Sequence, residues 1–189
     1  MPSDPETAFA VWLTGLPASG KSTVARALAA ELTGKGIRAA VLESDAVRRE
    51  ITPDAAYGEA ERDAFYATLA YLARMLVLHG VPVIVDATAN RRTYRDRARE
   101  GIPRFLEVHV RCPLAVCQAR DPKGIYRRGA EGTARNVPGL SAPYEPPLLP
   151  EAVVDGEKDD PAVAAGRIVS VLEKKGFLPR DPGGTAVTG

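Results

Sequence analysis

Short apolar runs alternate with amphipathic stretches along most of the chain. Apolar runs of strand length lie at residues 9–14, 38–42, 83–85, 105–110 and 153–154. Apolar side chains recur three or four positions apart, as in helices, at residues 22–33, 59–79, 94–99, 113–120 and 161–175. Strands that alternate with helices form a parallel sheet covered on both faces. We therefore predict an α/β fold with three layers, a parallel sheet flanked by helices.

Two parts of the chain interrupt this alternation. Residues 121–150 hold six prolines and four glycines, which predicts either a long ordered loop or a mobile flap. Residues 179–189 are rich in Pro, Gly and Thr and predict a disordered tail. A chain of 189 residues suits one domain of ordinary size, which we assign to residues 1–178.

Composition and charge narrow the class of protein. The chain is 45% hydrophobic and 26% charged, with a net charge of +1. These values are typical of a globular protein and argue against a dedicated nucleic-acid binder, whose domain would be clearly basic. The charge is nevertheless uneven, because residues 91–135 carry 12 basic and 5 acidic side chains. This basic segment of a neutral chain calls for a local explanation.

Targeting signals and cysteines bear on the compartment. No apolar run approaches the roughly 20 residues that cross a bilayer, and residues 1–7 are polar and acidic, unlike a signal peptide. Cys112 and Cys117 are too few for a disulfide framework and lack the His or carboxylate neighbours of a zinc site. We expect buried, reduced thiols in a cytoplasmic protein with no membrane partner.

The clearest motif follows the first apolar run. Residues 15–22, with Gly15, Gly20, Lys21 and Ser22, fit the pattern G-x-x-x-x-G-K-[ST]. The glycines allow successive N–H groups to face an anion, and the following helix adds its N-terminal amides. The lysine can reach the β- and γ-phosphates of a nucleotide, and the serine hydroxyl can bind Mg²⁺. A predicted strand before the motif and a helix after it favour a P-loop nucleotide site over a fortuitous glycine-rich turn.

Polar residues at the ends of the next two strands suggest the other half of a site. Ligands of parallel sheets lie beyond the carboxyl ends of the strands, where Asp45 and Asp86 are found. Asp45 can accept a proton from an acceptor hydroxyl or cap the next helix. Arg48 can hold an anion or be a solvated surface residue. Asp86 can hold Mg²⁺ through water or act as a cap, whereas His79 and His109 have structural positions.

Three stretches together carry a resemblance to a known family. They are Gly15-Leu-Pro-Ala-Ser-Gly-Lys-Ser-Thr23, Leu42-Glu-Ser-Asp-Ala-Val-Arg48, and Arg120-Asp-Pro-Lys-Gly-Ile-Tyr126 with Pro143-Tyr-Glu145. From about residue 10 to about residue 155 the chain resembles adenylylsulfate kinases, P-loop enzymes that phosphorylate the 3′-hydroxyl of adenylylsulfate with MgATP. The resemblance implies a three-layer P-loop NTPase fold with a lid, at about residues 120–145, that closes over both nucleotides.

The resemblance also implies roles for individual residues. Asp45, with Lys21, is expected to be catalytic. ATP and its Mg²⁺ are expected to contact Gly15, Ser19, Gly20, Lys21, Ser22, Thr23 and Arg120, with Asp86 as a further metal candidate through water. The acceptor is expected to contact Arg48, Tyr57, Arg62, Arg92, Lys123, Asn136 and Val137. Arg95 is expected at the edge of the acceptor pocket, and Arg97, Arg99 and Arg104 in solvent. The basic segment would then meet two multiply charged nucleotides.

Several positions depart from the family pattern, and all of them lie on the acceptor side. Tyr57 and Val137 replace the two phenylalanines that sandwich the substrate adenine, and a tyrosine can still stack. Phe65 stands in place of an asparagine, and the family's Ile-Ser-Pro is Thr88-Ala-Asn90 here, so Ala89 replaces its serine. Glu43 lengthens the first carboxylate of the family's Asp-Gly-Asp.

Three functions are therefore weighed. The leading hypothesis is a kinase of adenylylsulfate acting in sulfate assimilation. The second is a related P-loop kinase with another small hydroxyl acceptor or nucleotide, and the third is a nucleotide-binding regulatory subunit that has lost catalysis. The retained Asp45 argues against the third, because binding alone does not require that carboxylate. A homodimer and a functional link to a sulfate adenylyltransferase are kept as candidate partnerships.

Overall fold

A computed structural model describes residues 7–52 and 58–179 of the chain. The strands are β1 (Ala10–Thr14), β2 (Ala40–Glu43), β3 (Val83–Asp86), β4 (Phe105–Arg111) and β5 (Ala152–Asp155). The helices are α1 (Lys21–Gly34), α2 (Ser44–Ile51), α3 (Glu59–Leu78), α4 (Arg92–Gly101), α5 (Leu114–Arg120), α6 (Ile125–Ala130) and α7 (Pro161–Lys174). Tyr57 and all of the predicted tail except Pro179 lie outside the described residues.

The five strands form one parallel sheet in the order β2-β3-β1-β4-β5. Strand β1 is central and its residues are buried, as expected for a strand with neighbours on both sides and helices on both faces. The register pairs Leu13 with Asp86 and Thr14 with His109. The ends of β3 and β4 therefore flank the point where β1 enters the loop at Gly15.

Alternate residues of β1 feed two hydrophobic cores, one on each side of the sheet. Leu13 packs with Leu28 and Ile168 under α1 and α7. Trp12 packs with Leu69 and other residues of α3 and α4 on the opposite face. Each fully buried side chain of this size contributes about 1.5–3 kcal/mol from burial. The predicted three-layer α/β arrangement is confirmed.

Helices α2 and α6 were not predicted by the pattern. The sequence of α2, SDAVRREI, is mostly polar, so it lacks the apolar stripe by which a helix is recognised. Helix α6 has six residues and lies inside the Pro- and Gly-rich segment. Residues 121–150 are therefore not a loop throughout, and a third cluster with Cys112, Cys117 and Val137 packs beneath α6.

Candidate active site

The loop between β1 and α1 has the backbone geometry that an anion cradle needs. Gly20 has φ 100°, a left-handed conformation that favours glycine. A Cβ on Gly15 would lie 2.4 Å from the carbonyl oxygen of Val110, so no larger residue fits there. Both glycines of the motif are thus required by the fold itself.

Lys21 places a buried positive charge inside this loop. Its side chain is 7% exposed, and Nζ donates to the carbonyl oxygens of Gly15, at 3.0 Å, and Leu16, at 2.8 Å. Burial lowers the pKa of Lys21, and the nearby carboxylates of Asp86 and Asp45 oppose that shift. Two carboxylates and one ammonium therefore share the space at the carboxyl edge of the sheet.

The remaining loop residues lie around the same concavity. Ser19 is fully buried, and its Oγ has no hydrogen-bond partner in the described part of the chain. Ser22 and Thr23 lie in the first turn of α1, where backbone N–H groups and the helix dipole favour an anion. The loop thus offers donors of the kind that phosphates require.

A second loop, after β5, packs directly on the first. A Cβ on Gly156 would lie 1.9 Å from the carbonyl oxygen of Ser19, so the two backbones touch. Arg120, at the end of α5, donates to the carbonyl oxygen of Gly156 at 2.7 Å. This contact brings Arg120 beside the phosphate loop. Gly156 was not predicted from the sequence, because a lone glycine after a short strand has no recognisable pattern.

Asp45 lies in the first turn of α2, and its carboxylate points to the lid. The cap residue of α2 is Glu43, so the alternative interpretation of Asp45 as the helix cap is wrong. Asp45 Oδ2 accepts a hydrogen bond from Lys123 Nζ at 2.5 Å, and this contact raises the pKa of Lys123. More than half of each side chain is exposed, so both groups remain accessible to a ligand.

Asp86 ends β3 and is buried, with 6% exposure. It does not cap α4, which begins only at Arg92, and the hydrogen bonds of the described residues include none to its carboxylate. Carboxylate and hydroxyl oxygens are the ligands that Mg²⁺ prefers, usually together with waters and substrate phosphates. Asp86 and Ser22 fit that donor set, although the described residues contain no cluster of three or more His, Cys, Asp or Glu that would hold a metal unaided.

Arg48 is a buried residue and not the solvated surface arginine of the alternative interpretation. Only 8% of it is exposed. Its guanidinium lies 3.7 Å from the centroid of the Phe65 ring, and Nη1 donates to Glu61 Oε1 at 3.0 Å. A cation held on an aromatic face and a carboxylate has a defined orientation. Phe65, one of the unusual positions, therefore supports Arg48.

Arg62 of α3 contacts Asn136, which lies in the segment expected to form the lid. Arg62 Nη2 donates to the backbone oxygen of Asn136 at 2.9 Å, and Nη1 to Asn90 Oδ1 at 3.4 Å. Asn136 adopts φ 56°, a conformation that asparagine tolerates better than most residues. Asn90 was not singled out from the sequence, because a single amide after a strand has no distinctive spacing.

The arginines of α4 do not all lie where the sequence analysis expects them. Arg92 is partly exposed and lies against Glu145, whose Oε2 accepts from the Arg92 backbone N–H at 2.8 Å. Arg95 is 1% exposed and is ion-paired with buried Glu107 at 2.6 Å, so its expected place at the pocket edge is wrong. The expectation of a solvated Arg99 is also wrong, because Arg99 pairs with both Glu151 and Glu107.

The aromatic and apolar wall of the lid is packed against the phosphate loop. Val137 is 3% exposed and lies in the cluster beneath α6. Tyr126 donates from its hydroxyl to the carbonyl oxygen of Pro17 at 3.2 Å. Burial raises the pKa of Cys117 to about 12, so this thiol is un-ionised at neutral pH. Both cysteines are free and buried, in line with the expectation of buried thiols.

The described part of the chain contains no helix long and apolar enough to cross a membrane. Its parallel sheet, flanked by helices and followed after the central strand by the glycine-rich motif, defines the class as a P-loop kinase.

Comparisons with known proteins agree with this class and narrow it. The adenylylsulphate kinase family model matches residues 7–155, and the chain belongs to the adenylylsulfate kinase family. A protein of Archaeoglobus fulgidus described as a probable adenylyl-sulfate kinase is 40% identical over 80% of this chain and 98% of its own length. The APS kinase of Mycobacterium tuberculosis, solved with AMPPNP and APS, has a TM-score of 0.82 at 33% identity, covering 88% of this chain and 98% of that one.

A longer relative is also similar. A probable bifunctional SAT/APS kinase of Sorangium cellulosum is 35% identical over 96% of this chain. The chain spans only 31% of that relative's length, so the similarity concerns one portion of the bifunctional protein.

Proposed function

We propose that this chain transfers the γ-phosphoryl group of ATP to the 3′-hydroxyl of adenylylsulfate, giving 3′-phosphoadenylylsulfate and ADP, as a step of sulfate assimilation. The observation that carries the proposal is the contact between Asp45 and Lys123. It brings a lid cation to an accessible carboxylate, near the buried Lys21 of the phosphate loop, whose pKa responds to that carboxylate. Family membership supplies the acceptor.

ATP is proposed to bind with its phosphates in the loop that begins at Gly15. Lys21 offsets charge on the β- and γ-phosphates, and the N–H groups at the start of α1 donate to them. Arg120 is proposed to lie against the nucleotide, since it already reaches the loop through Gly156. The further ATP contacts proposed are Ser19, Gly20, Ser22 and Thr23.

Mg²⁺ is proposed as the metal ion of the reaction, held by Ser22 and, through water, by Asp86. When bound, the ion neutralises charge on the phosphates. The buried Asp86 carboxylate is suited to this because a cation would offset its burial.

Asp45 is proposed to act on the acceptor hydroxyl. Its carboxylate orients the 3′-hydroxyl and accepts its proton while the oxygen forms a bond to the γ-phosphorus. The bond between that phosphorus and the bridging oxygen breaks, and ADP leaves with the bonding electrons. Lys21 and the lid cation Lys123 stabilise the negative charge on the transferred group.

The acceptor nucleotide is proposed to lie between α2, α3 and the lid. Arg48 and Arg62 would hold its phosphosulfate, because each is oriented by neighbours in advance. The other proposed contacts are Tyr57, Arg92, Lys123, Asn136 and Val137. Closure of residues 120–145 over both nucleotides would exclude water and suppress hydrolysis of ATP.

A coupled assay for ADP tests the reaction. Purified protein with MgATP is expected to release ADP only when adenylylsulfate is added. Turnover of another hydroxyl compound with adenylylsulfate inert would select the different-acceptor kinase, and ATP binding without turnover of any acceptor would select the regulatory subunit. Asp45→Asn, with ATP affinity preserved and turnover lost, separates a catalytic role from a binding role.

The partnerships and compartment are also proposals. A functional link to a sulfate adenylyltransferase is supported by the bifunctional SAT/APS kinase relative. A homodimer is proposed on the family resemblance. Light scattering tests this proposal by measuring the mass of the protein in solution. A cytoplasmic location accords with the two free, buried cysteines.

A further inference from the structure

Asn90 is an almost fully buried polar residue in the loop before α4, with 3% exposure. Its Nδ2 donates to the carbonyl oxygen of Pro143 at 2.9 Å, and its Oδ1 accepts from Arg62 Nη1 at 3.4 Å. Its backbone oxygen accepts from the Glu145 N–H at 2.7 Å. One residue thus joins α3 to the C-terminal arm of the lid, which we define as residues 143–145.

The backbone that presents Asn90 is held in a costly conformation. Ala89 has φ 40°, and a residue with a Cβ adopts positive φ only where its surroundings enforce it. The Ala89 N–H donates to the hydroxyl of Tyr66 at 3.0 Å, and its carbonyl oxygen accepts from Arg95. Groups from α3 and α4 therefore fix the turn from both sides.

Arg95 ties the same turn to the lid arm. Its Nη2 donates to the carbonyl oxygen of Glu145 at 2.7 Å, and its Nε pairs with Glu107 of β4 at 2.6 Å. The ion pair is almost fully buried, and breaking such a pair leaves an uncompensated charge. Asn90 is consequently held by backbone contacts that do not depend on its own side chain.

Arg62 gains its orientation from this arrangement. A long arginine side chain loses rotamer freedom when it is fixed, and that loss opposes binding. Arg62 is fixed at one amino group by Asn90 and at the other by the lid backbone at Asn136. Contacts made before the substrate arrives reduce the ordering cost of binding.

We propose that Asn90 is a positioning residue for the acceptor nucleotide: it holds the Arg62 guanidinium in place and couples it to the C-terminal arm of the lid. This inference rests on the proposed function, because it assigns the anion at Arg62 to the acceptor. Asn90 acts through Arg62, so its removal weakens acceptor binding and leaves ATP binding unchanged.

A double-mutant cycle with Asn90→Ala and Arg62→Ala tests the coupling. Asn90→Ala is expected to raise KM for adenylylsulfate three- to tenfold, as the loss of one ordinary hydrogen bond implies for the long contact of 3.4 Å between Arg62 Nη1 and Asn90 Oδ1. We expect kcat and KM for ATP to change less than twofold. In the Arg62→Ala background, Asn90→Ala is expected to change KM for adenylylsulfate less than twofold, because the group it positions is gone.

Thr68→Ala is the matched control, since Thr68 lies on α3, is exposed and donates from its hydroxyl to the Ala64 oxygen of the same helix. It is expected to leave every parameter unchanged. Asn90→Ser keeps a small polar group at the buried position but does not reach Arg62. It replaces Asn90→Ala in the cycle if thermal melting shows the alanine variant to be unfolded.

The outcomes separate this inference from the function on which it rests. Wild-type protein that releases no ADP with adenylylsulfate overturns the proposed function, and the inference with it. An active wild type in which the Asn90 variants leave KM unchanged overturns the inference alone. The inference alone is also overturned if the Asn90 variants raise KM for adenylylsulfate equally in the wild type and in Arg62→Ala. It is likewise overturned if they raise KM for ATP as much as KM for adenylylsulfate.

Discussion

The two halves of the site are built in opposite ways. The side proposed to bind ATP is a continuous loop whose shape comes from the backbone, with Gly15 and Gly20 in positions that no larger side chain fits well and Lys21 buried inside. The side proposed to bind the acceptor is assembled from α2, α3, the loop before α4 and residues 120–145, and the Asp45 side chain there is more than half exposed. The first half is therefore set by local sequence and the second by tertiary contacts.

This difference predicts different consequences of substitution. Changes to the loop remove the ability to use ATP at all, whereas changes on the acceptor side alter which hydroxyl compound is used and how tightly it binds. The following variants test that contrast.

Lys21→Ala is expected to have the largest effect. It removes the buried charge proposed to contact the phosphates, and we expect kcat/KM for ATP to fall by roughly 10³-fold. Steady-state kinetics at saturating adenylylsulfate measures this. Lys35→Ala, at the far end of α1, is the control and should change activity less than about twofold. A Lys21→Ala enzyme that keeps a tenth of its activity would contradict the assignment of the loop.

Asp45→Asn is expected to reduce kcat by about 10²-fold, because a neutral amide does not accept the hydroxyl proton. ATP affinity, measured by calorimetry, should not change, since the carboxylate is not part of the phosphate loop. The control is Glu50→Gln, an exposed acidic residue of the same helix. Equal losses of ATP affinity and kcat would show that Asp45 also contributes to ATP binding, which would contradict the division into two halves.

Arg48→Lys sharpens the contrast within the acceptor side. A lysine keeps the charge but loses the flat contact with Phe65 and the forked geometry toward Glu61. We expect KM for adenylylsulfate to rise about tenfold with KM for ATP unchanged. The control is Arg49→Lys, at an exposed neighbouring position, and it should leave both KM values unchanged. An unchanged KM for adenylylsulfate in Arg48→Lys would remove Arg48 from the acceptor site.

Protonation of His109 is expected to have a smaller effect, which is on the stability of the folded chain. Burial lowers the pKa of His109 to about 4, and its ring lies 6.2 Å from that of Tyr144 on the acceptor side. In the unfolded chain the pKa is near 6.5, so between these values the unfolded state binds a proton that the folded state does not. Stability contributed by neutral His109 is thus present above about pH 6.5 and is lost as the pH falls toward 4.

The variant His109→Gln checks this pH dependence. It is expected to lose less stability than the wild type between about pH 7 and pH 4.5, by on the order of 1 kcal/mol once partial exposure is allowed for. Urea unfolding at the two pH values measures the difference. His79→Gln, an exposed histidine at the end of α3, should behave as the wild type. Identical pH dependence in wild type and His109→Gln would rule out a buried, neutral His109.

The same contrast explains what the sequence could predict. The strands, the long helices and the phosphate loop follow from local patterns, because an apolar run of strand length or a glycine at a fixed spacing determines its own conformation. Phosphate binding by Lys21 and Ser22 could be predicted from the motif alone, without any knowledge of the tertiary fold. The boundaries were close, as with residues 9–14 for β1 at Ala10–Thr14.

The acceptor side could be predicted only by resemblance and only in part. Arg95 has the spacing of a pocket arginine, yet the buried charge of Glu107 on a distant strand draws it into the core. Arg48 looked like a surface residue because its partner, the Phe65 ring, belongs to another helix. Asn90 contacts residues 62 and 143, which are far from it in sequence. Such contacts leave no local pattern.

Mass spectrometry of the reaction product is the sharpest test of phosphoryl transfer to adenylylsulfate. After incubation of the purified chain with MgATP and adenylylsulfate, we expect one product heavier than adenylylsulfate by a single phosphoryl group, with the phosphate on the 3′-oxygen, and one ADP for each product molecule. Unchanged adenylylsulfate, with ADP and free phosphate as the only products, would contradict it.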